Sequence, residues 1–251
     1  MSGHSKWSSI KHKKGAADAK RGKLFSKLAR AIIVAARDGG PDPAGNLALQ
    51  NAIEKARSYS MPKDNIERAI ARGSGTGTDT QAFEQIVYEG YGPNGVAVIV
   101  EALTDNRNRT ASEIRHVFTK NDGNLGTSGA VAWLFERRGV ILVDADRYEE
   151  DSVMLAAAEG GADDVSQDGS SFTVTTSPEA LSSVREALEQ AGIAIDSAET
   201  TMVPKTTVEL SDEAAARKTL RLIDALEELD DVNEVYANFD IPDRLLEAVA
   251  S

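Results

Sequence analysis

The sequence predicts an α+β fold in three domains: an N-terminal three-helix bundle, an α/β middle domain, and a ferredoxin-like βαββαβ domain inserted into it. Three observations lead there. As far as residue 73 the apolar residues recur at helical spacing alone, and after a Gly-Ser-Gly-Thr-Gly-Thr linker over 73–78 the pattern changes to strands and helices. Between 132 and 203 the element signals run strand, helix, strand, strand, helix, strand, the order of the split βαβ unit. The β-α-β stretch after 203 is too small to stand alone, so it pairs with 79–131. The expected domains are therefore 1–75, 79–131 plus 204–251, and 132–203.

Residues 1–15 read as a polar arm. Leu24, Leu28, Ile32 and Ala35 predict a helix over 16–38, stopped by Gly39-Gly40-Pro41. A second helix is predicted over 43–57, with Leu49, Ile53 and Ala56 inward. A third opens at Pro62 as a first-turn residue and ends at Gly73. The linker at 73–78 predicts that the bundle can reorient.

Beyond it, 83–91 and 96–103 are rich in Val, Ile and Tyr and read as strands around a Gly-Pro-Asn-Gly turn. A helix is expected over 107–121, with Thr110 and Glu113 shaped like a capping box. Residues 123–129 read as a loop and 131–135 as a strand. The inserted unit is expected as a strand at 139–143, a helix at 151–160, strands at 164–167 and 171–175, a helix at 178–191 and a strand at 194–203. A strand at 207–210, a helix at 211–229 and a strand at 232–239 complete the chain.

A chain of 251 residues buries sizeable cores without covalent staples. It has no cysteine, which excludes disulfides, thiol nucleophiles, iron–sulfur clusters and cysteine zinc sites. Three scattered His residues lack ligand spacing, so no metal is expected. Residues 73–77 and 123–129 lack the Gly-Lys-Ser/Thr ending of a phosphate loop. No cofactor and no small-molecule substrate is expected. Asp105, Glu113 and His116 are the candidate catalytic groups, and a surface pair explains them more simply, so no enzyme is expected. No signal-like or membrane-length apolar run is present, so the expectation is a cytoplasmic protein with no membrane partner.

The net charge of −12 is divided unevenly. Residues 1–75 carry 15 basic and 6 acidic side chains, a net of +9, and the remainder carries −21. Such asymmetry marks the first quarter as the end that meets a polyanion. Lys20, Lys23, Lys27 and Arg30 fall on one stripe of the first helix, roughly 135° from its apolar face, with Arg21 alongside. Ahead of them stand Lys6, Lys11, Lys13 and Lys14, interleaved with Trp7 and His12, residue types that contact phosphates and stack on unpaired bases. Residues 1–37 hold ten cations against the single acid Asp18, so the i,i+4 counter-charges of an ordinary solvated face are missing. A secondary nucleic-acid patch is expected at Arg107, Arg109, Arg115 and Lys120, with Arg137 and Arg138 near it in sequence. Ion pairing with the acidic surroundings explains those residues equally well.

The chain resembles the YebC/PmpR family, which includes the mitochondrial translational activator of cytochrome oxidase subunit one. The resemblance rests on Gly3-His-Ser-Lys-Trp7, Lys11-His-Lys-Lys-Gly15, Asp18-Ala-Lys-Arg-Gly-Lys-Leu-Phe-Ser-Lys-Leu28, Met61-Pro-Lys-Asp-Asn-Ile-Glu-Arg-Ala-Ile70, Tyr88-Glu-Gly-Tyr-Gly-Pro93, Glu101-Ala-Leu-Thr-Asp-Asn-Arg-Asn-Arg-Thr110 and Gly123-Asn-Leu-Gly126. Ala31 and Asn94 depart from its pattern, where Glu and Gly are usual, and neither change removes a cation. The resemblance implies the same three domains and a regulator of gene expression without catalysis. Members act as DNA-binding transcriptional regulators or as ribosome-associated translation factors, so the implied partner is DNA or ribosomal RNA, with the ribosome as a partner in the second case. The residues leave both open. Lys outnumbers Arg on the stripe, which favours backbone contact over base reading, and no helix-turn-helix signature is present.

Overall fold

The structure, a computed structural model, describes residues 18–75, 83–242 and 245, with the backbone alone for 18–20 and 168. It has the α+β architecture expected. Two compact units divide it: Phe135–Lys205, and the described residues before and after that segment.

In the larger unit, α1 (Asp18–Gly39), α2 (Leu47–Ser58) and α3 (Lys63–Gly73) form the bundle. Leu28, Ile32 and Ala36 of α1 pack on Leu49, Ile53 and Ala56 of α2 and on Ile66 and Ala69 of α3. The α1–α2 corner is held by one buried side chain. The Asn46 carbonyl oxygen caps α2 by accepting from Leu49 N at 3.0 Å, and its amide donates to the Ala35 and Gly40 carbonyls, both at 2.8 Å. Pro62 is the N-cap of α3 and not its first-turn residue. Gly73 is required where α3 crosses α1, because a Cβ there would lie 2.4 Å from the Ile33 carbonyl oxygen.

The middle sheet has the order β3-β1-β2-β9 and is antiparallel throughout. It joins β1 (Glu84–Tyr91), β2 (Ala97–Thr104) and the short β3 (Asn124–Leu125) to β9 (Val232–Ala237). Strand β9 comes from beyond the insertion, so the two separated stretches share one sheet. Helices α4 (Arg107–Lys120) and the late helix Glu213–Glu227 cover one face. The residues expected as a loop at 123–129 thus contain β3.

Glu89 organises the loop that follows. Its buried carboxylate accepts from the N–H groups of Gly129 (2.6 Å), Val131 (2.8 Å) and Ala132 (2.7 Å). Burial pushes this carboxyl up, and the three backbone donors more than offset that, leaving it below its usual range.

The smaller unit comprises β4 (Phe135–Asp144), α5 (Glu150–Gly160), β5 (Asp164–Asp168), β6 (Ser171–Thr176), α6 (Leu181–Gln190) and β7 (Ser197–Pro204). Its antiparallel sheet runs β5-β6-β4-β7, the ferredoxin-like order. The strands expected at 131–135 and 139–143 are a 3₁₀ turn at Ala132–Leu134 followed by the single strand β4. Back in the larger unit, β8 (Val208–Glu209) pairs in parallel with β10 (Phe239–Asp240), and the intervening Glu213–Glu227 helix, α7, is capped by Asp212.

Candidate nucleic-acid interface

Lys6, Trp7, Lys11, His12, Lys13 and Lys14 lie outside the described residues. Lys20 stands on α1, with its side chain also outside them. The remaining stripe residues are placed, and three of the four are engaged by the middle domain.

Arg21 is exposed, its guanidinium 5.4 Å over the Phe25 ring. Lys23 Nζ lies 2.9 Å from Asp230 Oδ1 and also donates to the Glu228 carbonyl. Lys27 donates to the Glu227 carbonyl at 2.5 Å. Its ammonium is half-buried, and desolvation, aided by the neighbouring Lys23 charge, lowers its pKa from 10.5 to about 8. Arg30 reaches the Leu103 carbonyl (3.1 Å), the Asp230 carbonyl (2.9 Å) and Asp231 Oδ1 (3.3 Å), and it stacks 5.1 Å over Phe83. Lys55 of α2 adds an ion pair to Glu234 at 2.6 Å. The cationic stripe thus faces the acidic segment that joins α7 to β9.

Asp231 is the node of that segment, only 5% exposed. Its Oδ2 accepts from Thr104 (3.0 Å), Thr110 (2.7 Å) and Arg109 (2.7 Å), while Oδ1 faces Arg30. Burial pushes this carboxyl up; the bonds from Arg109, Thr110 and Thr104 outweigh it and hold the group below its usual range. Asp230 is held low by the Lys23 hydrogen bond. Thr110 is therefore not the start of a capping box. Asn106 caps α4, accepting from Arg109 N at 3.1 Å, and Thr110 spends its hydroxyl on Asp231.

The secondary patch is divided. Arg109 is bound to Asp231 and, at 2.8 Å, to Asp105. Arg107, Arg115 and Lys120 are exposed and have no side-chain ion pair among the described residues. In the smaller unit Arg138 pairs with Asp163 (2.6 Å) and Glu136 (3.2 Å). Among the described residues no His, Asp and Glu group could hold a metal ion, and no helix is long and apolar enough to cross a membrane.

Sequence reasoning misses two features. One is the acidic partner of the stripe, whose only signal is an acid-rich run at 227–234, some 200 residues from α1. The other is an open groove of about 300 Å³ between α1 and α3, lined by Phe25, Ala29, Ile33, Met61, Arg68 and Arg72 among others. The two arginines do not stand out because Asp64 and Glu67 balance them over residues 64–72.

Residues 5–76 match the TACO1/YebC protein N-terminal domain, and residues 83–239 match the TACO1/YebC second and third domain. A "probable transcriptional regulatory protein" of Rubrobacter xylanophilus is 60% identical over 250 residues, all of both chains. One of the same description from Persephonella marina is 55% identical, again over the whole of both. The crystal structure of a conserved hypothetical protein from Aquifex aeolicus is similar with a TM-score of 0.78 at 54% identity, covering 90% of this chain and 93% of that one. The chain belongs to the TACO1/YebC family.

Proposed function

We propose that this protein is a non-enzymatic, nucleic-acid-binding regulator of gene expression, acting through its basic N-terminal quarter. The observation that carries this is the charge division, a net of +9 on residues 1–75 against −21 on the rest. The bundle presents cations to phosphates, and the acidic remainder repels them over most of its surface. The relatives' description as probable transcriptional regulatory proteins supports a regulatory role. The contact surface is the arm residues Lys6, Trp7, Lys11, His12, Lys13 and Lys14 together with Lys20, Arg21, Lys23, Lys27 and Arg30. Arg107, Arg115 and Lys120 extend it, with Arg109 held at its edge by Asp231.

DNA is the target of the first reading, in which the protein regulates transcription. A second reading, a ribosome-associated translation factor binding ribosomal RNA, is favoured by the mainly Lys stripe and by the Trp and His of the arm, which suit irregular RNA. The test is a fourfold alanine variant at Lys6, Lys11, Lys13 and Lys14. Binding should weaken about equally for every target sequence. For duplex DNA the slope of log K against log salt should fall by about 0.9 for each phosphate that the variant no longer neutralises. Unchanged affinity and slope would remove the arm from the interface.

A further inference from the structure

Lys23, Lys27 and Arg30 are already occupied in the folded chain, although the binding surface needs them for phosphates. We propose that the stripe is a phosphate-binding surface held closed by the acidic turn at 227–231, and that nucleic-acid backbone displaces this turn and undocks the bundle from the middle domain. The proposal rests on the nucleic-acid reading above and adds the regulation of that site.

Four observations carry it. The turn offers the stripe what a phosphodiester chain would offer: the Asp230 carboxylate to Lys23, the Glu227 and Glu228 carbonyls to Lys27 and Lys23, and the Asp231 carboxylate to Arg30. The closure is weak where it must open. The Lys23–Asp230 pair has side-chain exposures of 43% and 76%, and pairs so exposed contribute little. Lys27 is desolvated against a carbonyl, with the Glu227, Asp230 and Glu234 carboxylates nearby but none in ion-pair contact among the described residues, so a phosphate there supplies a direct anionic partner. Opening also leaves no stranded charge behind. When Arg30 departs, Asp231 keeps Thr104, Thr110 and Arg109.

The hydrophobic cores agree with this. The bundle core is drawn from α1 to α3 and the turn at 59–61, and the middle-domain core from β1 onward, so separation divides neither. Lys55–Glu234, the Arg30–Phe83 stack, the Arg30 bonds to the Leu103 and Asp230 carbonyls and the Arg37 bond to the Phe83 carbonyl are also given up.

The experiment uses the full chain and two substitutions of equal charge change. Asp230→Lys removes the exposed half of the closure. Glu159→Lys, on the exposed face of α5, is the control for net charge. Binding is measured to a 20-nucleotide single-stranded RNA and to a 20-base-pair DNA duplex at fixed salt. Opening the closure should tighten the binding of Asp230→Lys about tenfold, as expected when a competent state rises from a minority to the majority, while Glu159→Lys stays within about twofold of the starting protein. Equal affinities for the two variants would overturn the closure and leave the nucleic-acid reading standing. No binding by any of the three proteins would overturn that reading, and the closure with it. A dye pair at Ala48→Cys and Ser112→Cys, placed in a chain free of other cysteines, supplies the second readout. Saturating RNA should change energy transfer between α2 and α4, and an unchanged transfer on a bound complex would contradict undocking.

Discussion

Arg30 Nη1 and Asp231 Oδ1 meet at 3.3 Å across the seam between the helical bundle and the middle sheet, 201 residues apart in the chain. Arg30 is a partly buried cation and Asp231 a nearly fully buried anion, with side-chain exposures of 19% and 7%. The pair ties the basic end to the acidic remainder through a carboxylate that also fastens Thr104 and Thr110 within the middle domain. Removing the acid should therefore cost more than removing the base. Asp231→Ala takes one partner from each of Arg109, Arg30 and two hydroxyls at once and should lower stability by about 1–3 kcal/mol in urea unfolding. Arg30→Ala leaves Asp231 with three donors and should cost clearly less. Equal losses would deny Asp231 its role as the node.

Acid should loosen the middle domain through Asp231 and Glu89, whose carboxyls are both held below their ordinary values of 3.8 and 4.5. A depressed carboxyl stabilises the fold fully above its unfolded pKa, and that contribution is lost as pH falls through the folded value. Urea midpoints should be flat from pH 7 to about 5 and should fall below about 4. In Glu89→Gln, whose neutral amide cannot titrate, the fall should be shallower and the starting midpoint lower. An unaltered acid slope in that variant would show that Glu89 is not among the titrating groups.

Lys27 has the opposite sign. Its pKa is about 8 in the folded chain against an ordinary 10.5, so between those values the unfolded chain binds more protons and stability rises with pH. Below pH 8 the full penalty of the buried ammonium is present. Lys27→Met should therefore raise stability at pH 7 by about 1 kcal/mol while weakening nucleic-acid binding by one phosphate contact. A lower midpoint for Lys27→Met would mean that its bond to the Glu227 carbonyl matters more than its desolvation.

The bundle's packing is legible in the sequence because it is periodic: Leu28 and Ile32 on α1, and Leu49, Ile53 and Ala56 on α2, are buried as their spacing requires. The βαββαβ order is legible for the same reason. The destination of the cations is not. Local charge counting shows that Lys23, Lys27 and Arg30 lack neighbours of opposite sign, and it cannot show that the missing acids sit on a turn 200 residues later. Thr110 misleads because a Thr-x-x-Glu pattern looks the same whether its hydroxyl caps a helix or completes the shell of a distant carboxylate. The two-residue β3 pairing with Gly90 and Tyr91 is too short to leave a periodic trace.

Close approach inside the bundle gives a further test. Gly73→Ala would drive a methyl group into the Ile33 carbonyl oxygen, and backbone must shift to admit it. The bundle should lose about 1–3 kcal/mol, read as earlier amide exchange in α1 to α3 with the two four-stranded sheets unaffected. Unchanged protection in α3 would place the α1–α3 crossing elsewhere.

The central claim, that the basic quarter is the binding end, is tested most directly by crosslinking the protein to nucleic acid in growing cells, then sequencing the bound nucleic acid and mapping the crosslinked peptides. The account predicts crosslinks concentrated within residues 1–75, on a defined ribosomal RNA region for a translation factor or on discrete promoter DNA for a transcriptional regulator. Crosslinks confined to the acidic remainder, or no nucleic acid recovered above background, would contradict it.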